Sequence, residues 1–324
     1  MSAGPDAGGA DGVWVGVDVG GTKVLAGVVD ADGRVVRTAR GETPGRRVDP
    51  TLVEDAIVDA VLRVAGEAPL TGVGLAAAGF VDAVGERVMF APHLPWRGDP
   101  VRERLASRLG VALALDNDAN CAALAESAYG AARDTTSSLM ITLGTGIGGA
   151  FVLEGRVLRG RNGMAGEFGH MKVVPGGQAC PCGGEGCWEQ YCSGHALVRY
   201  ARERLGREPT VLGELCGGDP ARLTGPMVTA AAADGDLTAR QAFWMVGNWL
   251  GLGVANLVAA FDAEVVVIGG GVSAAGERLL EPARAALRLS LVGADHRVVP
   301  PIVGAVLGPE AGLVGAVVLA RSQS

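Results

Sequence analysis

Aromatic side chains are scarce in this 324-residue chain, at 4%, so its cores must be built from Ala, Val and Leu rather than from stacked rings. Basic charge is also short. Lysine and arginine number 28 against 35 acidic residues, and the balance of -7 leaves no electrostatic footprint for nucleic acid. The N-terminus lacks a basic flank followed by an apolar core, so no targeting segment is expected, and no uninterrupted apolar run suits a membrane helix. Of the six cysteines, Cys121, Cys192 and Cys216 are scattered, which argues against a disulfide framework and an oxidising compartment. The expectation is a soluble cytoplasmic protein with neither a nucleic-acid nor a membrane partner. Residues 1–12, small, acidic and glycine-rich, read as a flexible lead-in.

Glycine is what the chain has in excess: 52 residues, about twice ordinary usage, which implies many tight loops. Three of these loops follow apolar strands. Val13–Val19 is broken by Gly20, Gly21, Thr22 and Lys23, then resumes to Val29 before an Asp32-Gly33 turn signal. Ser137–Leu143 repeats the design, ending in Gly144, Thr145 and Gly146 and resuming to Leu153. Two halves built alike predict an internal duplication, each half an α/β layer with a mixed sheet covered by helices. At this length two lobes are expected, divided near Ala125 and near Arg297.

The paired turns suit phosphate. Glycine lets backbone N–H groups approach an anion, and Thr22 or Thr145 adds a hydroxyl donor. Asp18 adds a carboxylate for magnesium and Lys23 a cation, so the turns point to a nucleotide, while the glycine spacing excludes a Walker loop. A third cluster, Gly269, Gly270 and Gly271, separates a buried strand ending at Ile268 from a helix expected near Ala274 to Leu289 and could seat an adenosine moiety. A plain βα loop is the alternative there. The long apolar helix expected over Leu237 to Ala260 assigns Trp244 and Trp249 to a core or an interface.

The densest chemistry runs from Glu167 to Glu189. Cys180, Cys182 and Cys187 supply three thiolates within eight positions, and His170 supplies an imidazole. Together they make a closed tetrahedral set with no open position, hence structural zinc rather than catalytic zinc. Glu189 follows the last thiol by two residues and would be held by the same loop. Elsewhere, the apolar strand from Leu113 ends in Asp116, Asn117, Asp118 and Asn120, at the strand end where α/β folds bind ligands. Asn117 can donate to and accept from a hydroxyl, and Asp118 can take the proton of an attacking alcohol, which makes it the candidate general base. Capping of the next helix is the alternative role for this run.

Taken together, the segments Asp18–Lys23, Asp116–Asn120, Leu143–Gly149, Glu167–His170, Cys180–Glu189 and Val267–Gly271, in this order, resemble the ROK family of sugar kinases and related repressors. That family lies within the actin-like, ribonuclease-H-like ATPase superfamily, and the resemblance covers the chain after Gly12. It implies a two-lobed fold with 13–125 plus 298–324 as the N-terminal lobe, 126–297 as the larger lobe, and a final helix near Ala311 to Ala320 returning to the first. It implies that Asp118 is the base and that Gly79, His93, Asn117, Glu167, His170 and Glu189 contact sugar. Asp18, Gly20, Gly21, Thr22, Lys23, Gly144, Thr145, Gly146, Gly269, Gly270 and Gly271 would bind magnesium and ATP, and His170, Cys180, Cys182 and Cys187 would bind zinc. The implied activity is transfer of the γ-phosphate of ATP to the 6-hydroxyl of glucose by a homodimer or homotetramer. The first strand starts too early for the repressors' DNA-binding domain, which favours a kinase. Another hexose or N-acetylhexosamine as acceptor, and a sugar sensor without turnover, are the alternatives. Two positions depart from the family: His93 stands where many relatives have Asn, and Ala78 precedes Gly79 where many have Pro.

Overall fold

The computed structural model describes residues 12–324, so the lead-in expected at 1–12 lies, Gly12 aside, outside the described residues. The chain divides into two compact units. One takes the residues up to Tyr129, Arg159–Ala165 and Pro309–Ser324; the other takes Gly130–Leu158 and Gly166–Gly308.

The first unit begins with β1 (Val13–Val19), β2 (Lys23–Val29) and β3 (Val35–Glu42), whose valines favour a pleated surface. Helix α1 (Pro50–Ala65) follows, started by Asp49, whose side chain accepts from Thr51 N at 2.9 Å, and by Pro50 at its first position. Then come β4 (Leu70–Ala77), the short β5 (Phe80–Val81) and β6 (Val88–Phe90), α2 (Val101–Leu109), β7 (Leu113–Asn117) and α3 (Asp118–Tyr129). The main sheet runs β3-β2-β1-β4-β7. β1 pairs antiparallel with β2, and β2 with β3, while β1–β4 and β4–β7 are parallel. Ile57, Leu75, Leu94, Trp96 and Leu115 fill the core on one face.

In the second unit the pattern repeats. β8 (Ser137–Leu143), β9 (Ile147–Leu153) and β10 (Arg156–Val157) form the antiparallel part. Helices α4 (Gly194–Arg202), α5 (Leu212–Leu215), α6 (Gly225–Ala233) and α7 (Leu237–Phe261) precede β11 (Val265–Gly269), α8 (Glu277–Ser290) and β12 (Ile302–Gly304). The order β10-β9-β8-β11-β12, with β8–β11 and β11–β12 parallel, reproduces the first sheet strand for strand. The internal duplication read from the two glycine hairpins is therefore present, and the fold is the α/β, ribonuclease-H-like ATPase architecture with duplicated mixed sheets.

Several boundaries differ from those expected. Residues 298–308 stay with the second unit, because β12 hydrogen-bonds into its sheet beside β11. Helix α3 carries the first boundary on to Tyr129. Residues Arg159–Ala165, expected in the larger lobe, belong to the first unit. The helix expected from Ala274 is preceded by a 3₁₀ turn, Gly271–Ala275, and starts at Glu277. The chain then returns to the first unit as α9 (Ala311–Ser322), where glycine permits backbone contact: a Cβ on Gly315 would lie 1.6 Å from Cys121 O, and one on Gly74 1.9 Å from Ala316 O. This contact seats α3 and α9 side by side on the sheet that carries Asp18.

At 25 residues, α7 is long and apolar enough to cross a membrane by length and composition, contrary to the expectation that no run would be. It is built into the core of its unit: 61% of its apolar window is buried, with Phe243, Val246, Leu250 and Val254 fully enclosed. Trp188 locks against it, donating from Nε1 to Trp249 O at 2.7 Å, and Tyr191 stacks on Trp249 with ring centroids 4.7 Å apart. Trp244 is not core, since 54% of it is exposed.

Candidate active site

In the first unit the expected residues converge at the strand ends. Asp116 and Asn117 end β7 and Asp118 opens α3 rather than preceding it. Asn117 caps this helix, its Oδ1 accepting from Ala119 N at 2.8 Å and from Asn120 N at 3.3 Å, while its Nδ2 donates to Gly79 O at 2.9 Å. Both roles weighed for the run are thus open to it at once, because capping uses Asn117 and leaves the Asp118 carboxylate to other work. Burial pushes the Asp118 carboxyl from its ordinary 3.8 up to about 6, the Asp18 carboxylate adds to the rise, and the Ala119 N–H opposes it. Burial likewise raises Asp18, against the pull of Lys23. Gly79 packs on Ala91, and Gly21 packs on His93, where an added Cβ would come within 2.5 Å of the His93 Cβ. Asp18, the Gly20–Lys23 turn, Gly79, His93, Asn117 and Asp118 are therefore brought together.

Two residues shape this region without having been legible as motifs. Thr43 braces the first turn: its hydroxyl donates to Gly20 O at 2.8 Å and its N–H to Thr22 O at 3.2 Å. Arg97 folds the His93 loop around its guanidinium, Nη1 donating to the carbonyls of Ala91, Leu94 and Trp96 at 2.8, 2.9 and 2.5 Å. The same guanidinium lies over the Phe90 ring, 4.5 Å from its centroid.

In the second unit the metal-ligand set is assembled. The ligand atoms of His170, Cys180, Cys182 and Cys187 all lie within 4.8 Å of one another. Cys180 Sγ is 3.8 Å from His170 Nδ1, and Cys182 Sγ is 3.7 Å from Cys187 Sγ. A tetrahedral zinc with bonds of about 2.3 Å to sulfur demands S···S edges of roughly 3.8 Å, so the donors and their spacing fit zinc. The loop is folded by its own backbone, with Cys180 N bonded to Gly184 O at 2.8 Å and a bridge between Lys172 and Cys187. With Nδ1 facing the thiols, His170 Nε2 points the other way, 3.9 Å from Glu167 Oε2. Burial raises the Glu167 carboxyl; His170 counters and Glu189 reinforces that rise.

Glu189 sits in the 3₁₀ turn directly after the last thiol, and its Oε2 accepts from Ile147 N at 3.0 Å. A Cβ on Gly146 would lie 2.0 Å from that oxygen. The carboxylate expected to contact sugar thus also props the second glycine turn. At Gly144 and Gly271 a Cβ would meet nothing within 4 Å and φ is not positive, so no neighbouring protein atom demands glycine there. Both line a cleft of about 1020 Å³ whose other walls include Thr145, Gly194, Leu197, Thr224, Pro226 and Val272. Gly194 N donates to Gly144 O at 2.8 Å, joining the start of α4 to the turn. The volume and the mainly apolar walls match a small-molecule pocket, and the stretch from Leu223 to Thr229 had no motif to announce it. Gly269 and Gly270 lie behind the cleft, Gly270 with φ 82° against Leu143 O.

Comparison with known proteins agrees with this geometry. The glucokinase of Streptomyces coelicolor is 41% identical over 96% of this chain and 98% of its own length. That of Thermotoga maritima is 35% identical over 93% of this chain and 95% of its own. A crystal structure of a ROK family glucokinase from Streptomyces griseus in complex with glucose and AMPPNP superposes with a TM-score of 0.85 at 42% identity, covering 96% of this chain and all 100% of that one. Residues 14–323 match the ROK family, to which this chain belongs.

Proposed function

We propose that this chain is an ATP-dependent glucokinase that transfers the γ-phosphate of ATP to the 6-hydroxyl of glucose. The observation that carries the reading is Asp118, a carboxylate at a strand end whose burial moves its titration to about 6, beside the helix-capping Asn117 and in a family with glucokinase relatives. Such a group is ionised near neutral pH and still basic enough to accept a proton as an alcohol attacks.

In the first unit, Gly79, His93 and Asn117 would contact sugar hydroxyls, and Asp118 would accept the proton of the 6-hydroxyl. Its oxygen then attacks the γ-phosphorus; the new P–O bond forms as the bond to the bridging oxygen of ADP breaks. Asp18 would hold the magnesium of the MgATP substrate, directly or through water, and the N–H groups of Gly20 to Thr22, with Lys23, would face phosphate oxygens. In the second unit, Gly144, Thr145 and Gly146 would bind phosphate, with Gly271 facing the base and ribose in the apolar cleft and Gly269 and Gly270 shaping the turn that presents it. Glu167, His170 and Glu189 of the same unit, outside that cleft, would present sugar contacts. Zinc held by His170, Cys180, Cys182 and Cys187 would supply a fixed loop and a fixed imidazole tautomer rather than an electrophile, since four protein donors leave no open position. The six free thiols suit a reducing cytoplasm, where ATP is also supplied.

The test is ADP release with MgATP across glucose, mannose, fructose, N-acetylglucosamine and N-acetylmannosamine. Glucose-selective turnover supports the reading. Selective turnover of another sugar keeps the chemistry and changes the acceptor, and glucose binding without ADP release replaces the kinase by a sensor.

A further inference from the structure

The proton-accepting aspartate is held by a charge pair that no sequence motif marks. Asp116, two residues before Asp118, is 2% exposed, and all its acceptor capacity is used. Its Oδ1 accepts from Asn117 N at 2.8 Å and from Asn120 Nδ2 at 2.8 Å. Its Oδ2 accepts from Arg159 Nε at 2.9 Å and Nη2 at 2.6 Å. A buried carboxylate without a partner would take up a proton, and it would then offer its neighbours a different set of donors and acceptors. The guanidinium supplies that partner at Oδ2, and Oδ1 fixes the backbone and side chain on both sides of Asp118.

Arg159 is itself anchored. It opens the Arg159–Ala165 segment, which is closed by Ala165 N to Arg159 O at 3.1 Å and packed so tightly at Gly163 that a Cβ there would lie 2.0 Å from Val81 O. Asp18 from β1 faces the Asp118 carboxyl, Lys23 opening β2 faces Asp18, and Asp116, Asp118, Asp18 and Arg159 all act on the buried Cys121 of α3; from α9, a Cβ on Gly312 would lie 3.5 Å from Asp18 Cγ. Three carboxylates thus share one region with two cations.

Resting on the kinase reading above, we propose that Arg159 is the positioning residue of the phosphoryl-transfer site: through its two-pronged bond to Asp116 it fixes the Asn117–Asn120 turn that presents Asp118. Arginine is required because Nε and Nη2 converge on one oxygen from a rigid plane, whereas lysine offers a single point charge.

The test compares R159M, R159K, D116N and D116N/R159M with the unaltered enzyme, reading kcat and KM for glucose and MgATP, the pH dependence of kcat/KM, and the titration of the Asp118 carboxyl carbon by NMR. The resonance is assigned by its absence in D118N, and this last readout does not depend on turnover. R159M is expected to lower kcat about 10- to 100-fold with KM for MgATP little changed, the scale of a misplaced reacting group. It should also move the Asp118 titration and the acid limb of kcat/KM by about half a pH unit or more, because the turn that sets the surroundings of the Asp118 carboxyl is no longer held. D116N/R159M should return the titration toward its original position, and R159K should fall between. Folded R159M with an unmoved titration and unmoved kcat overturns the proposal. If R159M does not fold, R159K and the double variant decide by the same criteria. An unaltered enzyme with no sugar-dependent turnover would refute the kinase reading alone; the titration series would still decide whether Arg159 governs Asp118.

Discussion

Replacing Asp118 by Asn should move activity and stability in opposite directions, and the two effects have different pH dependences. The carboxyl titrates at about 6 instead of 3.8, chiefly because the folded chain strips water from it. A shift of this size corresponds to about 3 kcal/mol of unfavourable interaction with the ionised form. The folded-state value is raised, so the contribution of Asp118 is neutral below the unfolded value of 3.8. Stability is then lost progressively as pH rises through the folded value near 6, and the full cost is reached above it. The amide carries no charge at any of these pH values and can still accept the Ala119 N–H that Asp118 Oδ1 accepts at 3.0 Å. D118N should therefore be more stable than the unaltered chain by up to about 3 kcal/mol at pH 8 and by about half as much at pH 5.

Calorimetry at both pH values reads this as a rise in Tm of several degrees at pH 8, shrinking at pH 5. The same substitution removes the proposed proton acceptor, so kcat should fall by about 10² to 10⁴. Glucose affinity, measured by titration calorimetry, should change little. In the unaltered enzyme the acid limb of kcat/KM should lie near pH 6, where the free-enzyme base titrates. Either of two results refutes the reasoning: a kcat within tenfold of normal, or a Tm gain that is the same at pH 5 and pH 8.

Three further perturbations address the supporting structure. Treatment with a chelator, or C182S, should weaken glucose binding and lower Tm together, because His170, proposed to bind zinc through Nδ1, has its Nε2 3.9 Å from Glu167; metal analysis should give about one zinc per chain, and full glucose affinity in metal-free protein would break the link. G146A places a methyl group where Glu189 Oε2 now lies, 2.0 Å from the new Cβ, so it should raise KM for glucose about tenfold or more while leaving the zinc content intact; an unchanged KM would mean that Glu189 does not need its bond to Ile147. R97M removes the donor shared by three carbonyls of the His93 loop, so KM for glucose should rise several-fold with a smaller change in KM for MgATP; equal changes in both would show a general loss of folding rather than a loosened sugar loop.

The sequence disclosed what is encoded locally. Two hairpins with glycine turns announced the duplicated sheets because a strand, a turn and a strand occupy consecutive residues, 13–29 and 137–153, and the register of β8 with β9 follows from that turn. The cluster of His170, Cys180, Cys182 and Cys187 was legible for the same reason: three thiols and an imidazole within one loop can meet without help from the rest of the fold. Position on the surface was harder to read. Trp244 shares the apolar run of α7 with Phe243 and Val246, yet it falls on the outer side of the helix, because a run that is apolar all round does not say which side faces out.

What could not be read are contacts made across long stretches of chain. Arg159 lies 43 positions from Asp116, and Thr43 lies 23 positions from Gly20; neither residue type is distinctive, and nothing in the intervening sequence sets their approach. Both are polar residues whose partners are backbone atoms or a carboxylate already spoken for locally, so a reading by motif assigns the carboxylate and stops. This has a consequence for the Asp116–Asn120 run. By spacing alone, Asp116 and Asp118 are equivalent acids flanking an amide. Their partners separate them: Asp116 is closed by four hydrogen bonds, two of them from the Arg159 guanidinium, whereas Asp118 faces Asp18 and burial pushes its titration up to about 6. Two chemically identical side chains thereby acquire different surroundings, one closed by hydrogen bonds and one left for the proposed proton transfer, and the closing guanidinium comes from a segment that the sequence places between two stretches of the second unit.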